Sequence, residues 1–438
     1  MIIIIGKFAI AYVMIDEIEQ KCWDHIQRMV NHPAFENDVC VMPDTHEGKG
    51  SVIGFTMVIG RKLIPNVVGV DVGCGMCAFK IGPALVYDKL QIDQIIRDRV
   101  PFGHKVHRQP IIDMEHDFPW QMVNEAASKL ALGYRNKFGV LPVEPPVYDY
   151  EWFTLMCDRI GVDVGYAERS LGTLGGGNHF IEIGRARETG DFWVTVHTGS
   201  RNLGTKVCDF WQARANQADP LSLKIKFQYT VQEIKRTVAD RKLWQKLIEN
   251  AKREINKSMA DDEMASLTGV DALGYLYDMI FAQIYAMVNR RLISKQLIEA
   301  IGFEPQDEIE SVHNYIDPTD MTIRKGAIRS YVGERMIIPF NQEDGLLICV
   351  GKSNQAWNFS APHGAGRIMS RNDAKKKLKA ADIRRGMDEA GVFTTTIDPE
   401  EGKAAYKDSG VIEEAIQPTA EVLLHIVPIH NFKAPPKH

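Results

Sequence analysis

Five residues able to bind a transition metal, Asp71, Cys74, His179, His197 and His313, each fall where a short apolar run meets a glycine-flanked loop. One thiolate, one carboxylate and three imidazoles are enough donors for two ions that share a ligand, the arrangement that clamps phosphoryl oxygens in two-metal enzymes. Each residue also has a plainer reading. A lone histidine is more often a hydrogen-bonded, partly buried imidazole, Asp71 could simply cap a turn, and Cys74 could be a small buried hydrophobe. Their common setting favours the ligand reading. Ligand type does not choose the metal, because Cys and His also suit zinc, and Cys74-Gly-Met-Cys77 has the spacing of a zinc site.

His363 lies in Pro362-His-Gly-Ala-Gly-Arg367, where small neighbours leave the imidazole open and Arg367 can hold an anion. A neutral imidazole nitrogen can attack an α-phosphate and form a labile phosphoramidate. The Gly175-Gly-Gly-Asn178 loop offers backbone N–H groups and close approach, which suits a phosphate or nucleotide, although a plain turn between strands reads the same way. Glu182 could accept hydrogen bonds from a purine edge or be a solvated strand residue. From Arg367 to Arg385 the chain carries eight Lys or Arg, its densest basic stretch. These cations could neutralise an RNA backbone or form the exposed face of an amphipathic helix. The expectation is both: Arg367 and Arg371 pointing into the site, most of the lysines merely exposed.

Short strands ending in tight loops must position these groups. Val39 to about Lys80 and 170–204 alternate apolar runs with Gly, Pro and Asp, as strands and turns do. The segment 141–152 is a Pro-rich connection. Residues 206–301 differ: Val231, Ile234, Val238 and Leu243, Leu247 recur at helical spacing, with charges between them. The opening Met1-Ile-Ile-Ile-Ile reads as a strand, since Lys7 interrupts it and no cleavage site follows. No apolar run approaches the roughly 20 residues that cross a bilayer. Seven scattered cysteines among 438 residues fit a reducing cytoplasm better than a disulfide framework. A net charge of −5 means that any nucleic-acid contact comes from a local patch.

Taken in order, VGVDVGCGM, LGGGNHFIE, VHTGSRNLG, the His313-Asn314 pair, RKGA, SAPHGAGRIMSR and AYKD resemble the RNA-splicing ligase RtcB family. The resemblance runs from about Val39 to Lys433. It implies a mixed α/β fold, one large domain over 1–438 with a deep metal-binding cleft and a helical insertion. The implied cofactors are two Mn²⁺ ions, held by Asp71, Cys74, His179, His197 and His313 with Cys74 bridging, and GTP. His363 would be guanylylated. Asn178, Phe180, Glu182, Asn314, Gly364, Ala365, Gly366, Tyr406 and Lys433 would contact GMP, and Arg201, Lys325, Arg367 and Arg371 would face RNA or phosphate. The implied reaction joins an RNA 3′-phosphate or 2′,3′-cyclic phosphate to a 5′-hydroxyl through an RNA 3′-guanylate, in RNA repair or tRNA splicing. The alternative is a metal-dependent phosphodiesterase that processes RNA ends without ligation. Where the family usually carries Pro-Gly-Ser-Met-Gly, this chain has Pro339-Phe-Asn-Gln-Glu-Asp-Gly345. That marks a divergent member.

Overall fold

The strand-and-loop segments pair into three sheets in the computed structural model, which describes residues 1–216, 220–238, 240, 243–251 and 262–435. Parts of the expected helical block (217–219, 239, 241–242 and 252–261) and the end of the C-terminal tail lie outside the described residues. One sheet has six strands in the order β1 (Ile2–Ile5), β2 (Ile10–Val13), β3 (Val39–His46), β4 (Ile53–Val58), β10 (Thr322–Lys325) and β9 (Tyr315–Ile316). The expected N-terminal strand is thus an edge strand. A two-stranded sheet pairs β11 (Ala327–Arg329) with β14 (Ser360–Pro362).

The third sheet carries the chemistry. Its seven strands run β12 (Arg335–Pro339), β13 (Leu346–Gly351), β15 (Ala420–Phe432), β6 (Phe180–Ala186), β7 (Phe192–Thr198), β5 (Gly75–Gly82) and β8 (Asp307–Val312). Every pairing in it is antiparallel. Its two edges meet, because Ile337 N–H in β12 donates to Ser311 Oγ in β8 at 2.8 Å, so the sheet nearly closes on itself. A barrel-like sheet gathers its strand ends around one mouth.

The described residues of the helical block are helical for most of their length. Arg201–Asn216 and Pro220–Thr237 are helices, and Gly269–Ile301 is a third of 33 residues. Val231, Ile234 and Val238 share a half-buried stripe, as amphipathic spacing requires. The long helix departs from that pattern: Ala272, Leu276, Ile280, Phe281 and Tyr285 are buried on successive faces. A helix without a polar face has to be enclosed. Phe281 packs on Phe118 and Phe153, with ring centroids 5.5 Å from each, and Ile293 and Leu297 join the core under Ile181 and Val196 of the barrel-like sheet. This helix therefore anchors the sheet to the other helices. The Pro-rich connection ends at Asp149, whose carboxylate accepts from Trp152 N–H at 2.8 Å and caps Tyr150–Ile160. No described helix is long and apolar enough to cross a membrane.

Candidate metal centre and nucleotide cleft

All five expected ligands converge at the mouth of the seven-stranded sheet. Cys74 closes the turn before β5, His179 precedes β6, His197 lies on β7, and His313 follows β8. Strand register fixes them: Met76 pairs with His197, Gly75 with Val312, and His313 N–H donates to Cys74 O at 2.7 Å. Cys74 Sγ is 3.3 Å from His197 Nε2 and 3.7 Å from His179 Nε2. His197 Nε2 is 3.3 Å from His313 Nε2, and His179 Nε2 is 2.9 Å from Asp71 Oδ2. Two triads result, Cys74 with His197 and His313, and Cys74 with Asp71 and His179. Cys74 belongs to both. The zinc-type pair does not form, since Cys77 instead donates to Glu308 at 3.4 Å and joins neither triad.

The surrounding atoms suit cation ligands. His179 Nδ1 lies 2.9 Å from Leu174 O and His197 Nδ1 lies 3.2 Å from Asn178 O, contacts that hold a proton on Nδ1 and make Nε2 the atom each ring has to offer an ion. Burial, and next to it neighbouring positive imidazoles, push His197 and His313 well below the ordinary histidine range. Burial also drives the Cys74 thiol far up, with the Asp71 charge adding to it. A bound divalent ion reverses that preference and deprotonates a thiol outright. Burial acts to raise Asp71, but the hydrogen bond and charge of His179 outweigh it and hold the carboxyl below its usual range. Gly199 is required beside it, because a Cβ there would lie 2.2 Å from Asp71 Oδ1.

His363, at the end of β14, faces this cluster with its ring centroid 4.8 Å from that of His313. Its Nδ1 is 2.6 Å from Oδ2 of the fully buried Asp44, and its backbone N–H donates to the same oxygen at 3.2 Å. Asp44 thereby fixes the ring through Nδ1 and leaves Nε2 as the nitrogen available to a ligand, the orienting role that a third group plays for a catalytic histidine. Gly366 lets the loop close on Asp44, since a Cβ there would sit 2.1 Å from Asp44 O. His46 stands nearby, pushed down to about 4 by burial.

A cleft of about 1640 Å³ opens from the metal cluster and His363. Asn178, Phe180, Glu182, the Gly364-Ala365-Gly366 loop, Tyr406 and Lys433 line it. Glu182 is buried; Asn431 Nδ2 donates to its Oε2 at 2.9 Å, while Oε1 has no partner. Burial pushes this carboxyl up to about 8 against Asn431 and Lys433. Tyr406 and Lys433 meet at Glu401, which accepts from them at 2.5 and 2.9 Å. Arg367 joins this group through Glu401 at 3.5 Å and through the carbonyls of Glu400 and Met369, so its guanidinium is committed to bracing the wall.

Glu401 holds that wall together. Burial acts to raise it, yet Lys433 first and the Tyr406 hydroxyl next bring it down to about 2. A carboxyl depressed from about 4.5 contributes on the order of 3 kcal/mol that is present above the unfolded value and lost as pH falls from about 4.5 towards 2. Glu401→Gln should lower stability by about 3–5 kcal/mol at neutral pH, because it strands the buried Lys433 ammonium. It should also flatten the acid limb of stability, and urea unfolding from pH 7 to pH 3 checks both.

Of the residues expected to face RNA, Arg201, Arg367 and Arg371 line the cleft. Arg201, at φ 58°, donates to Thr173 Oγ1 at 3.0 Å and Gly103 O at 3.1 Å. Arg371 lies 3.7 Å from Glu400, which also holds Lys375 at 2.6 Å, while Lys376, Lys377 and Lys379 are exposed. Lys325 is corrected. Its buried ammonium donates to the carbonyls of Lys49, Ser51 and Asn66, which use all three of its protons, so it braces the cleft floor. Asn314 accepts from Gly326 N–H at 2.9 Å and makes one long bond to Asp71 O at 3.4 Å, behind the residues that line the cleft. The divergent 339–345 segment is the turn between β12 and β13; Pro339, Phe340, Asn341 and Gln342 line the cleft, and Lys403 clamps Asp344 at 2.5 Å.

The family model described as tRNA-splicing ligase RtcB matches residues 25–434. The chain belongs to the RtcB family. The RNA-splicing ligase RtcB of Escherichia coli K12 is 28% identical over 425 residues, covering 91% of each chain. The tRNA-splicing ligase RtcB of Nanoarchaeum equitans is 27% identical, covering 89% of this chain and 86% of its own. That of Archaeoglobus fulgidus is 24% identical, covering 93% and 90%.

Several residues of this RtcB-family cleft escaped the sequence reading. Asp44 sits among Pro43, Thr45 and His46 with no signal except an acid inside a strand. Glu401 looks like one of several surface acids in Asp398-Pro-Glu-Glu-Gly402. Asn289 and Arg290, fully buried on the long helix, brace the metal loops from behind: Asn289 donates to Gly199 O at 3.0 Å and Arg290 to Gly73 O at 2.7 Å. A polar pair inside an apolar helix was their one available sign.

Proposed function

We propose that this chain is an RNA ligase that joins an RNA 3′-phosphate or 2′,3′-cyclic phosphate to a 5′-hydroxyl, using GTP and two Mn²⁺ ions. The observation that carries this reading is His363, oriented through Nδ1 by buried Asp44 and set against His313 of the ligand cluster. Asp71, Cys74 and His179 would hold one ion and Cys74, His197 and His313 the other. Bound there, divalent ions would offset charge that develops on phosphoryl oxygens.

His363 Nε2 attacks the α-phosphorus of GTP; the N–P bond forms, the bond to the bridging oxygen breaks, and pyrophosphate leaves. Asp44 steadies the positive charge that the ring gains in this step. A cyclic end is first hydrolysed to a 3′-phosphate. The guanylyl group passes from His363 to that phosphate, and the 5′-hydroxyl oxygen then displaces GMP to seal the strand. Glu182 Oε1, buried without a partner, is an acceptor suited to the N–H edge of guanine. Asn178, Phe180, Asn314, Gly364, Ala365, Gly366, Tyr406 and Lys433 complete the nucleotide contacts, and Arg201 and Arg371 take RNA phosphates. Seven unpaired, buried cysteines fit a reducing cytoplasm.

Purified protein incubated with α-labelled GTP or ATP, in Mn²⁺ or Zn²⁺, should carry an acid-labile, alkali-stable label from GTP in Mn²⁺. Glu182→Ala should cut the preference for GTP over ATP about tenfold or more, as loss of a buried partner for the guanine N–H edge implies. Absence of label with either nucleotide would instead favour the cyclic-phosphate phosphodiesterase, which needs only the ligand cluster and Arg201.

A further inference from the structure

The cations of the 367–385 stretch that reach the cleft are largely taken up by acids of the protein itself. Glu400 holds Lys375 and Glu401 holds Arg367, while Arg371, 3.7 Å from Glu400, stays exposed. The opposite wall is different. Helix Gln20–Val30 presents Lys21, His25 and Arg28 to the cleft, with Lys49 beside them. Their spacing of four and three places the helix residues on one face, about 10 Å from first to last. Lys21, Arg28 and Lys49 are exposed, and among the described residues none makes an ion pair. Of the acids near this wall, Glu19 and Glu47 act on Cys22, where Lys407 offsets them, while Asp373 across the cleft feels Lys21 and Glu263 lines the floor near Lys325, neither within ion-pair distance of the three cations.

His25 supplies the second, independent observation. It is 3% exposed, lines the cleft, and its Nε2 has no hydrogen-bond partner. An unpartnered polar atom at such depth costs about 1–3 kcal/mol unless a ligand satisfies it. Burial, with Arg28 and Lys325 adding to it, pushes the ring down to about 4, so a neutral imidazole stands in a positive surround. A neutral imidazole repels no cation and attracts no phosphate. A hydroxyl, which both donates and accepts, satisfies Nε2 in either tautomer.

We propose that this wall is a second subsite for single-stranded RNA, with Lys21, Arg28 and Lys49 on backbone phosphates and His25 Nε2 on a ribose 2′-hydroxyl. The inference rests on the ligase reading, which requires two RNA ends in one cleft: one strand lies along Arg371, and the other along this helix. The 2′-hydroxyl is the group by which a protein tells RNA from DNA at a given position, so His25 is the specificity-determining residue and the cations are not.

The test measures binding of 5′-hydroxyl single-stranded RNA, and of DNA of the same sequence, to the Mn²⁺-loaded full chain by fluorescence anisotropy across a salt series. Lys21→Ala with Arg28→Ala should weaken RNA and DNA alike by about tenfold and reduce the salt slope by about 1.4, at roughly 0.7 per phosphate contact. His25→Ala should reduce the RNA-over-DNA ratio about tenfold while leaving DNA binding as it was; His25→Gln, which keeps a polar atom, should restore part of it. Unchanged affinities in the double variant, or equal losses for RNA and DNA in His25→Ala, would overturn the subsite. Wild-type protein that takes the GTP label and binds RNA, with variants that bind RNA equally well, removes this inference alone. Wild-type protein that binds no RNA removes the ligase reading with it.

Discussion

Cys74→Ala should cost both metal ions together. Its Sγ belongs to each of the two ligand triads, so removing it leaves two donors for either ion, one imidazole with one carboxylate or two imidazoles. A change confined to one ion's ligands, such as His313→Ala, should spare the Asp71 and His179 side. The expected result is near-stoichiometric loss of Mn²⁺ from the Cys74 variant by elemental analysis after dialysis, with affinity reduced 100-fold or more for both sites. Retention of one full equivalent would show that the thiolate serves a single ion.

His363→Ala should abolish the covalent nucleotide, and Asp44→Asn should come close to it. In the second variant the acceptor at Nδ1 becomes an amide that can donate as well. The ring is then free to place its proton on Nε2, the atom required to attack. Loss of the partner that orients a catalytic histidine costs about 10⁴ in rate in the serine proteases, and a fall of about 10²–10⁴ in the rate of self-labelling is expected here. Metal content should hold in both variants. A labelled His363→Ala protein would move the nucleophile elsewhere.

The candidate metal ligands were legible in the sequence because their chemistry is local: Asp71 and Cys74 share one turn, and His179, His197 and His313 each sit at a strand end, the first two beside glycine. The cleft wall around Tyr406 was legible only in part. Tyr406 and Lys433 stood out through the family resemblance, yet the acid that joins them, Glu401, carries no local signature, since what makes it important is a lysine 32 residues away in the chain. Lys325 was misplaced for the converse reason. A basic residue between Arg324 and Gly326 reads as exposed, and only the tertiary fold supplies three carbonyl oxygens to bury it. The long helix shows the same limit, as periodicity cannot separate an amphipathic helix from one enclosed on all sides when the charged positions at its ends resemble both.

The near-closed sheet has a consequence for how the protein is made. Its strands come from segments as far apart as Gly75 and Phe432, and β5 pairs on one side with β7 and on the other with β8, more than 200 residues later. Contacts of such sequence separation form late, because loop closure has to be achieved before they reward it. His313 takes its place only when β8 docks on β5, and His363 only after β14 has been synthesised. On the ribosome the emerging chain therefore offers loose thiols and imidazoles long before it offers a selective site, which exists only once β8 has docked on β5.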